Sequence, residues 1–202
     1  MSPHAKPDTE APIHDLIAAR WSPRAFEQRA VEPEKLRSMV EAARWAPSCF
    51  NEQPWSFLIA HADDRAGFDK LAQCLADGNA WAKQAPVLAL TVARLNFDRN
   101  GKPNRHAYHD VGLAVENLAL QAVDLGLAVH QMGGFDADQA RRTLSIPDDH
   151  DPVAMLAIGY EGSPDALSDD LRQKEVAARS RKDAASFVFG PDWGSSPTAL
   201  GL

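Results

Sequence analysis

Two short runs of this chain are apolar at nearly every position, Trp55–Ala60 (WSFLIA) and Val87–Ala93 (VLALTVA). Strict alternation marks a strand with one wet face, whereas continuous apolarity over six or seven residues marks one buried on both faces. Strand-length runs also occupy Ala128–Met132 and Val153–Tyr160. None approaches the roughly 18 apolar residues of a membrane span. Helical patterns lie between them. Pro33 suits a first helical turn, with Glu32 and Glu34 at its positive end, and Leu36, Met39, Val40 and Ala43 give that helix an apolar stripe before Pro47 ends it. Further helices are expected at about Pro12–Ala19, Asp64–Leu75, Tyr108–Leu125, Asp136–Leu144 and Ser168–Ala178. Strands alternating with helices across turn residues describe a mixed α/β or α+β sandwich.

The chain is expected to be a single domain over residues 1–202, with residues 1–11 as a loose polar arm. The 108–125 helix is apolar around much of its circumference, more than one subunit's sheet covers, and so hints at a dimer interface. The apolar tail Phe187-Val188-Phe189 is expected to dock, with the partner subunit as one candidate surface. A net charge of −7 argues against nucleic acid as a bulk partner. It does not prevent arginines gathered at one place from holding a phosphorylated cofactor. The N-terminus lacks a secretory pattern, so a soluble cytoplasmic protein without membrane association is the expectation. Cys49 and Cys74 form neither a CxxC pair nor a zinc spacing and read as reduced thiols.

Four residue groups carry chemistry. In Arg20-Trp21-Ser22-Pro23-Arg24, an extended backbone places Arg20, Ser22 and Arg24 on one side, two guanidinium groups flanking a hydroxyl. A solvated basic turn is the plain alternative. In Pro47-Ser48-Cys49-Phe50-Asn51-Glu52-Gln53-Pro54, Asn51 and Gln53 are placed to offer donor and acceptor groups to a heterocycle edge, although such residues also simply make good loops. Gln131-Met132-Gly133-Gly134 ends a strand before a helix, where consecutive glycines let a flat ligand approach backbone N–H groups; a tight turn is the alternative. Arg179 and Arg181 follow the last helix and share a face if the chain is extended there, or merely complement the helix dipole. No GxGxxG fingerprint or Walker lysine is present. His106, His109 and Asp110 lack the further ligands of a metal centre, and no serine sits in a GxSxG elbow.

Singly these signals are weak, but their order is specific. R-x-S-x-R, a helix, P-S-x-x-N-x-Q-P-W, a G-L-x5-G-G-F-D turn and a late R-x-R resemble the FMN-dependent nitroreductase family from about Asp15 to Trp193. The stretch APSCFNEQPWSF is the most specific match. The resemblance implies an α+β fold, a three-layer α-β-α sandwich with a mostly antiparallel central sheet. It also implies an intertwined homodimer with two FMN sites at the interface. Arg20, Trp21, Ser22 and Arg24 match the segment holding the FMN phosphate and flavin edge, completed by Arg179 and Arg181. Pro47, Ser48, Cys49, Asn51 and Gln53 match the loop that reaches the flavin from the other subunit. Gln131, Met132, Gly133 and Gly134 match the turn along the isoalloxazine.

The activity so implied is hydride transfer from NAD(P)H, through FMN, to a small electron-poor acceptor such as a nitroaromatic or quinone, with ping-pong kinetics and no catalytic side chain. A specialised flavin reaction (dehalogenation, enoate reduction, azoline oxidation) and a flavin-binding module without turnover are the competing readings. Cys49 stands where many relatives have serine, and Gly133 where the best-known ones have an acidic residue. No residue is matched to the ribityl chain, for which Asn79 is only a candidate.

Overall fold

The computed structural model describes residues 7–200. The expected loose arm falls partly on residues 1–6, which lie outside them; residues 7–11 carry no helix or strand. Four strands, β1 (Trp55–His61), β2 (Val87–Arg94), β3 (Ala128–Met132) and β4 (His150–Gly159), form one sheet in the order β1-β2-β4-β3. Every neighbouring pair is antiparallel. The main helices are α1 (Asp15–Ala19), α2 (Pro33–Arg44), α3 (Arg65–Ala72), α4 (Ala107–Asp124), α5 (Ala137–Leu144) and α6 (Asp169–Glu175).

Side-chain alternation along the strands sorts the core into two layers. Val87, Ala89, Val129, Leu156 and Ile158 face α2 and α4. Leu88, Leu90, Met132, Met155 and Ala157 face α3, α5 and a 3-10 segment over Asp77–Gln84. This is the expected α+β three-layer sandwich, and it explains the unbroken apolarity of β2, which is buried from Val87 to Ala93. β1 is equally apolar in sequence but lies at the sheet edge, where Ser56 is exposed and Ile59 is 40% exposed. Full burial of that strand is therefore corrected: α3 and α4 cover its faces only in part, and among the described residues no strand pairs with its outer edge.

The β2–β4 register shifts between Thr91 and Val92, opposite Pro152, which has no N–H to give the ladder. Fully buried Thr91 repairs the irregularity. Its hydroxyl donates to the Ala154 carbonyl and accepts from the Ala154 N–H, each at 3.1 Å.

Three helices are shorter than expected. α1 starts only at Asp15, where the His14 ring caps the Leu16 N–H at 3.2 Å. α3 ends at Ala72, and Cys74, with its 0% exposure, turns the chain into the core. α6 stops at Glu175, freeing residues 177–181 to run back across the 18–25 segment. No helix among the described residues is long and apolar enough to cross a membrane.

Candidate functional site

Segment 20–27 is fixed to the sheet before any of its side chains is considered. The Glu27 N–H donates to the Tyr160 carbonyl and the Gly162 N–H to the Ala25 carbonyl, each at 2.9 Å, making a short antiparallel bridge at Phe26–Glu161. Gly162 is obligatory there. A Cβ would stand 2.7 Å from the Phe26 carbonyl carbon and 3.0 Å from the Glu27 nitrogen, both backbone atoms that cannot rotate away. Gly162→Ala is accordingly expected to cost about 1–3 kcal/mol of stability, as overpacking does. Urea denaturation measures it; an unchanged midpoint would show that the bridge is free to slide.

Two further groups hold the same segment. His130, on β3, faces the Pro23 carbonyl with Nδ1 at 2.8 Å. Burial, with Arg24 nearby, pushes its pKa below the ordinary histidine value. The ring is therefore neutral at pH 7, and its Nδ1–H must be the donor, because a carbonyl oxygen can only accept. Glu175, whose side chain is 1% exposed, accepts the N–H groups of Arg24 (2.8 and 3.0 Å) and Ala25 (2.9 Å) and lies 3.6 Å from the Arg24 guanidinium.

The extended segment brings Arg20 and Ser22 together, with Arg20 Nη1 3.4 Å from Ser22 Oγ. The Trp21 indole N–H donates to Glu161 at 3.2 Å. Arg179 crosses from the C-terminal side and donates to the carbonyls of Ala18 (2.8 Å) and Arg20 (3.0 Å). Its pKa is lowered, first by burial and then by the charges of Arg20 and Arg181. Three guanidinium groups thus repel one another, and among the described residues neither Arg179 nor Arg181 forms an ion pair. Arg20 has Glu116 at 3.8 Å, a half-exposed partner of little weight. The group Arg20, Trp21, Ser22, Arg24, Arg179 and Arg181 lines one open cleft of about 330 Å³. A second cavity of about 230 Å³ shares Arg20, Arg179 and Arg181 and is walled by Asp8 and Thr9 of the N-terminal segment. Crowded cations of this kind suit a polyanionic oxygen group such as phosphate, which relieves their repulsion and accepts forked N–H donors.

The glycine turn follows β3, the strand whose His130 holds the 20–27 segment. Ala76 N–H (3.1 Å) and Asn79 Nδ2 (2.9 Å) both donate to the Gly134 carbonyl. A Cβ on Gly134 would lie 2.7 Å from that Asn79 nitrogen, whereas one on Gly133 would meet nothing within 4 Å. The turn is thus packed on one side and open at Gly133. Gln131 is exposed and Met132 is buried against α3 and α5. Asn79 acts as a brace for the turn.

The loop after α2 is strained. Phe50, Asn51 and Gln53 adopt φ values of 55°, 59° and 49°, a left-handed conformation that costs non-glycine residues about 1–2 kcal/mol each. Its surroundings over-determine it. The Cys49 N–H donates to Asp110 at 3.0 Å, the Gln53 N–H to Ser48 Oγ at 3.0 Å, and buried Glu52 accepts the Asp98 N–H at 2.9 Å while pairing with Arg94 at 3.3 Å. Phe50 meets Phe97 edge-on at 6.0 Å with the Arg99 guanidinium 4.0 Å over its ring. Backbone strain of this kind clusters at functional sites. Two details differ from expectation: the Cys49 N–H is spent on Asp110, and the Gln53 amide donates to the Asn51 carbonyl at 3.1 Å.

Pro47, Ser48, Cys49, Asn51 and Gln53 do not join the arginine cleft of their own chain, whose lining contains none of them. The loop feeds β1 at one sheet edge, and the glycine turn leaves β3 at the other. Three strand spacings, about 14 Å of sheet, separate those edges. Sequence reasoning missed Glu175, His130 and Asp110 as the supports of these segments. Only His130, the titratable residue of β3, offered a signal.

The nitroreductase family profile matches residues 17–160. A solved structure described as an oxidoreductase containing FMN superposes with a TM-score of 0.89 at 35% identity, covering 97% of this chain and 100% of that one. Protein DrgA of Synechocystis sp. is 31% identical over 72% of this chain and 82% of its own length. An FMN reductase [NAD(P)H] of Bacillus subtilis is 26% identical over 76% of this chain and 67% of its own. With the family profile spanning well over half of the sequence, on a fold shared almost end to end with an FMN-containing oxidoreductase, the chain belongs to the nitroreductase family.

Proposed function

We propose that this chain is an FMN-dependent oxidoreductase, acting as a cytoplasmic homodimer that passes reducing equivalents from NAD(P)H to a small electron-poor acceptor such as a nitroaromatic or quinone. The observation that carries the reading is the gathering of Arg20, Arg179 and Arg181 along one cleft, where the charges of Arg20 and Arg181 bear on Arg179. Bound FMN supplies a two-electron hydride relay, which none of the twenty side chains provides.

The chain's own residues bind and orient. Arg20, Ser22, Arg179 and Arg181 take the phosphate. Arg24, its charge offset by Glu175, supports the flavin edge beside the segment it belongs to. The turn Gln131, Met132, Gly133, Gly134 is braced from behind through the Gly134 carbonyl and lies open at Gly133, leaving room for a planar ring. Loop residues Pro47, Ser48, Cys49, Asn51 and Gln53 serve the partner's cleft, since they do not line their own. Exposed apolar residues support a second copy: Ile13 just before α1, Ile17 on it, Trp45, Phe50, and Phe187 in the tail. Gly112, on the outer side of α4, would leave any Cβ in open space and so permits close helix approach. Donor and acceptor use the same space in turn, which gives ping-pong kinetics, and no protein acid or base is assigned.

The purified chain is expected to bind FMN with a yellow spectrum that bleaches when NADH or NADPH is added without oxygen and returns on adding a nitroaromatic or quinone. A chain that cannot be reconstituted with FMN sinks the reading. A yellow chain that does not bleach reduces it to a flavin-binding module.

A further inference from the structure

A carboxylate buried within reach of an anion site is electrostatically out of place, because it repels the ligand that the arginines attract. Glu175 is such a group. It lines the arginine cleft from the last residue of α6, and its side chain is 1% exposed. Its two oxygens are committed to the N–H groups of Arg24 and Ala25. Four residues on, Arg179 grips the same segment from the other side through the carbonyls of Ala18 and Arg20. The two contacts are reciprocal: an anion takes the segment's N–H groups and a cation takes its C=O groups. Together they buckle residues 175–179 to residues 18–25, about 150 positions apart in sequence, and set Arg20 and Ser22 beside Arg179.

We propose that Glu175 is a positioning residue for the phosphate site: by capturing the backbone of Arg24 and Ala25 it preorganises the arginine cleft, so that this anion strengthens the binding of another anion. The inference rests on the FMN reading above and deepens it. It assigns to the α6 end a role that neither its helical pattern nor its charge would suggest.

The sign of the effect separates positioning from simple electrostatics. As a mere negative charge in the cleft, Glu175 would weaken FMN binding, and Glu175→Gln would tighten it. As a buckle, its loss leaves one uncharged amide oxygen to accept the Arg24 and Ala25 N–H groups and turns an NH2 toward the Arg24 N–H and guanidinium, so the segment loosens. FMN titrated into apo-protein, followed by flavin fluorescence, should show Glu175→Gln binding about ten- to a hundredfold more weakly. Glu175→Asp, which keeps the carboxylate one methylene back, should recover part of the loss. Equal or tighter binding by Glu175→Gln, or no recovery in Glu175→Asp, overturns the inference.

A measurement on the parent protein covers the case in which the variant does not fold. The Arg24 and Ala25 amides should exchange slowly with solvent before FMN is added, because the buckle is closed in its absence; rapid exchange in the apo-protein overturns the proposal. A parent chain that fails to take up FMN would instead remove the reading beneath it.

Discussion

Replacing Arg20 and Arg179 together by glutamine should weaken FMN retention by about 10²–10⁴-fold while leaving the sandwich folded. A hydrogen bond to a charged group contributes about 1.5–3 kcal/mol, so two such losses sum to about 3–6 kcal/mol. Arg179 carries the larger share. It is the more confined of the pair, crowded by Arg20 and Arg181, and it also ties down the carbonyls of Ala18 and Arg20. The loss should shrink as salt rises, because salt screens in the parent the attraction that the variant has already given up. Neither side chain belongs to the core, so the far-ultraviolet spectrum and thermal midpoint should move little. Equilibrium dialysis of the double variant against FMN makes the check, and retention equal to the parent would mean that the phosphate is held elsewhere. Arg181→Gln alone should cost much less, since Arg181 is exposed and, among the described residues, hydrogen-bonds to its neighbour Ser180 alone.

Much of the fold was legible because burial writes itself into hydrophobic pattern. β2 is apolar at each position since helices cover both of its faces, and Pro33, Glu34 and the Met39–Ala43 stripe placed α2. β1 misled for an instructive reason. Its composition matches a central strand, yet it lies at the edge of the sheet, so its sequence answers to surroundings that one chain does not supply. The end of α6 was illegible on different grounds. The run DDLRQKE is polar but for Leu171, and one apolar residue is too little for periodicity to single out Glu175 as the buried member.

The candidate site was legible as side-chain types within segments and not as a set of contacts. Spacing grouped Arg20, Ser22 and Arg24, and separately Arg179 and Arg181; the resemblance alone joined the two groups, which line one cleft. What holds them there is backbone hydrogen bonding to Glu175 and His130, which depends on tertiary placement and leaves no local signature. In the loop, Asn51 tolerates φ 59° as its residue type allows, but Phe50 and Gln53 share that conformation without any sequence cue. Only the packing of Phe97, Arg99 and Asp110 around them explains it.

The central claim is that each FMN site is assembled from the arginine cleft of one chain and the strained loop of another. Two defective chains test it. One carries Arg20→Gln with Arg179→Gln; the other carries Asn51→Val, a β-branched residue at φ 59° that should spoil the loop. Each variant alone should hold little FMN. In a C2 dimer the mixed species has one site with both defects and one with neither. Unfolding and refolding the two variants together at equal amounts should therefore restore FMN and NAD(P)H-dependent bleaching to about a quarter of the sites. If the mixture stays as empty as its components, the site belongs to a single chain and the account is wrong.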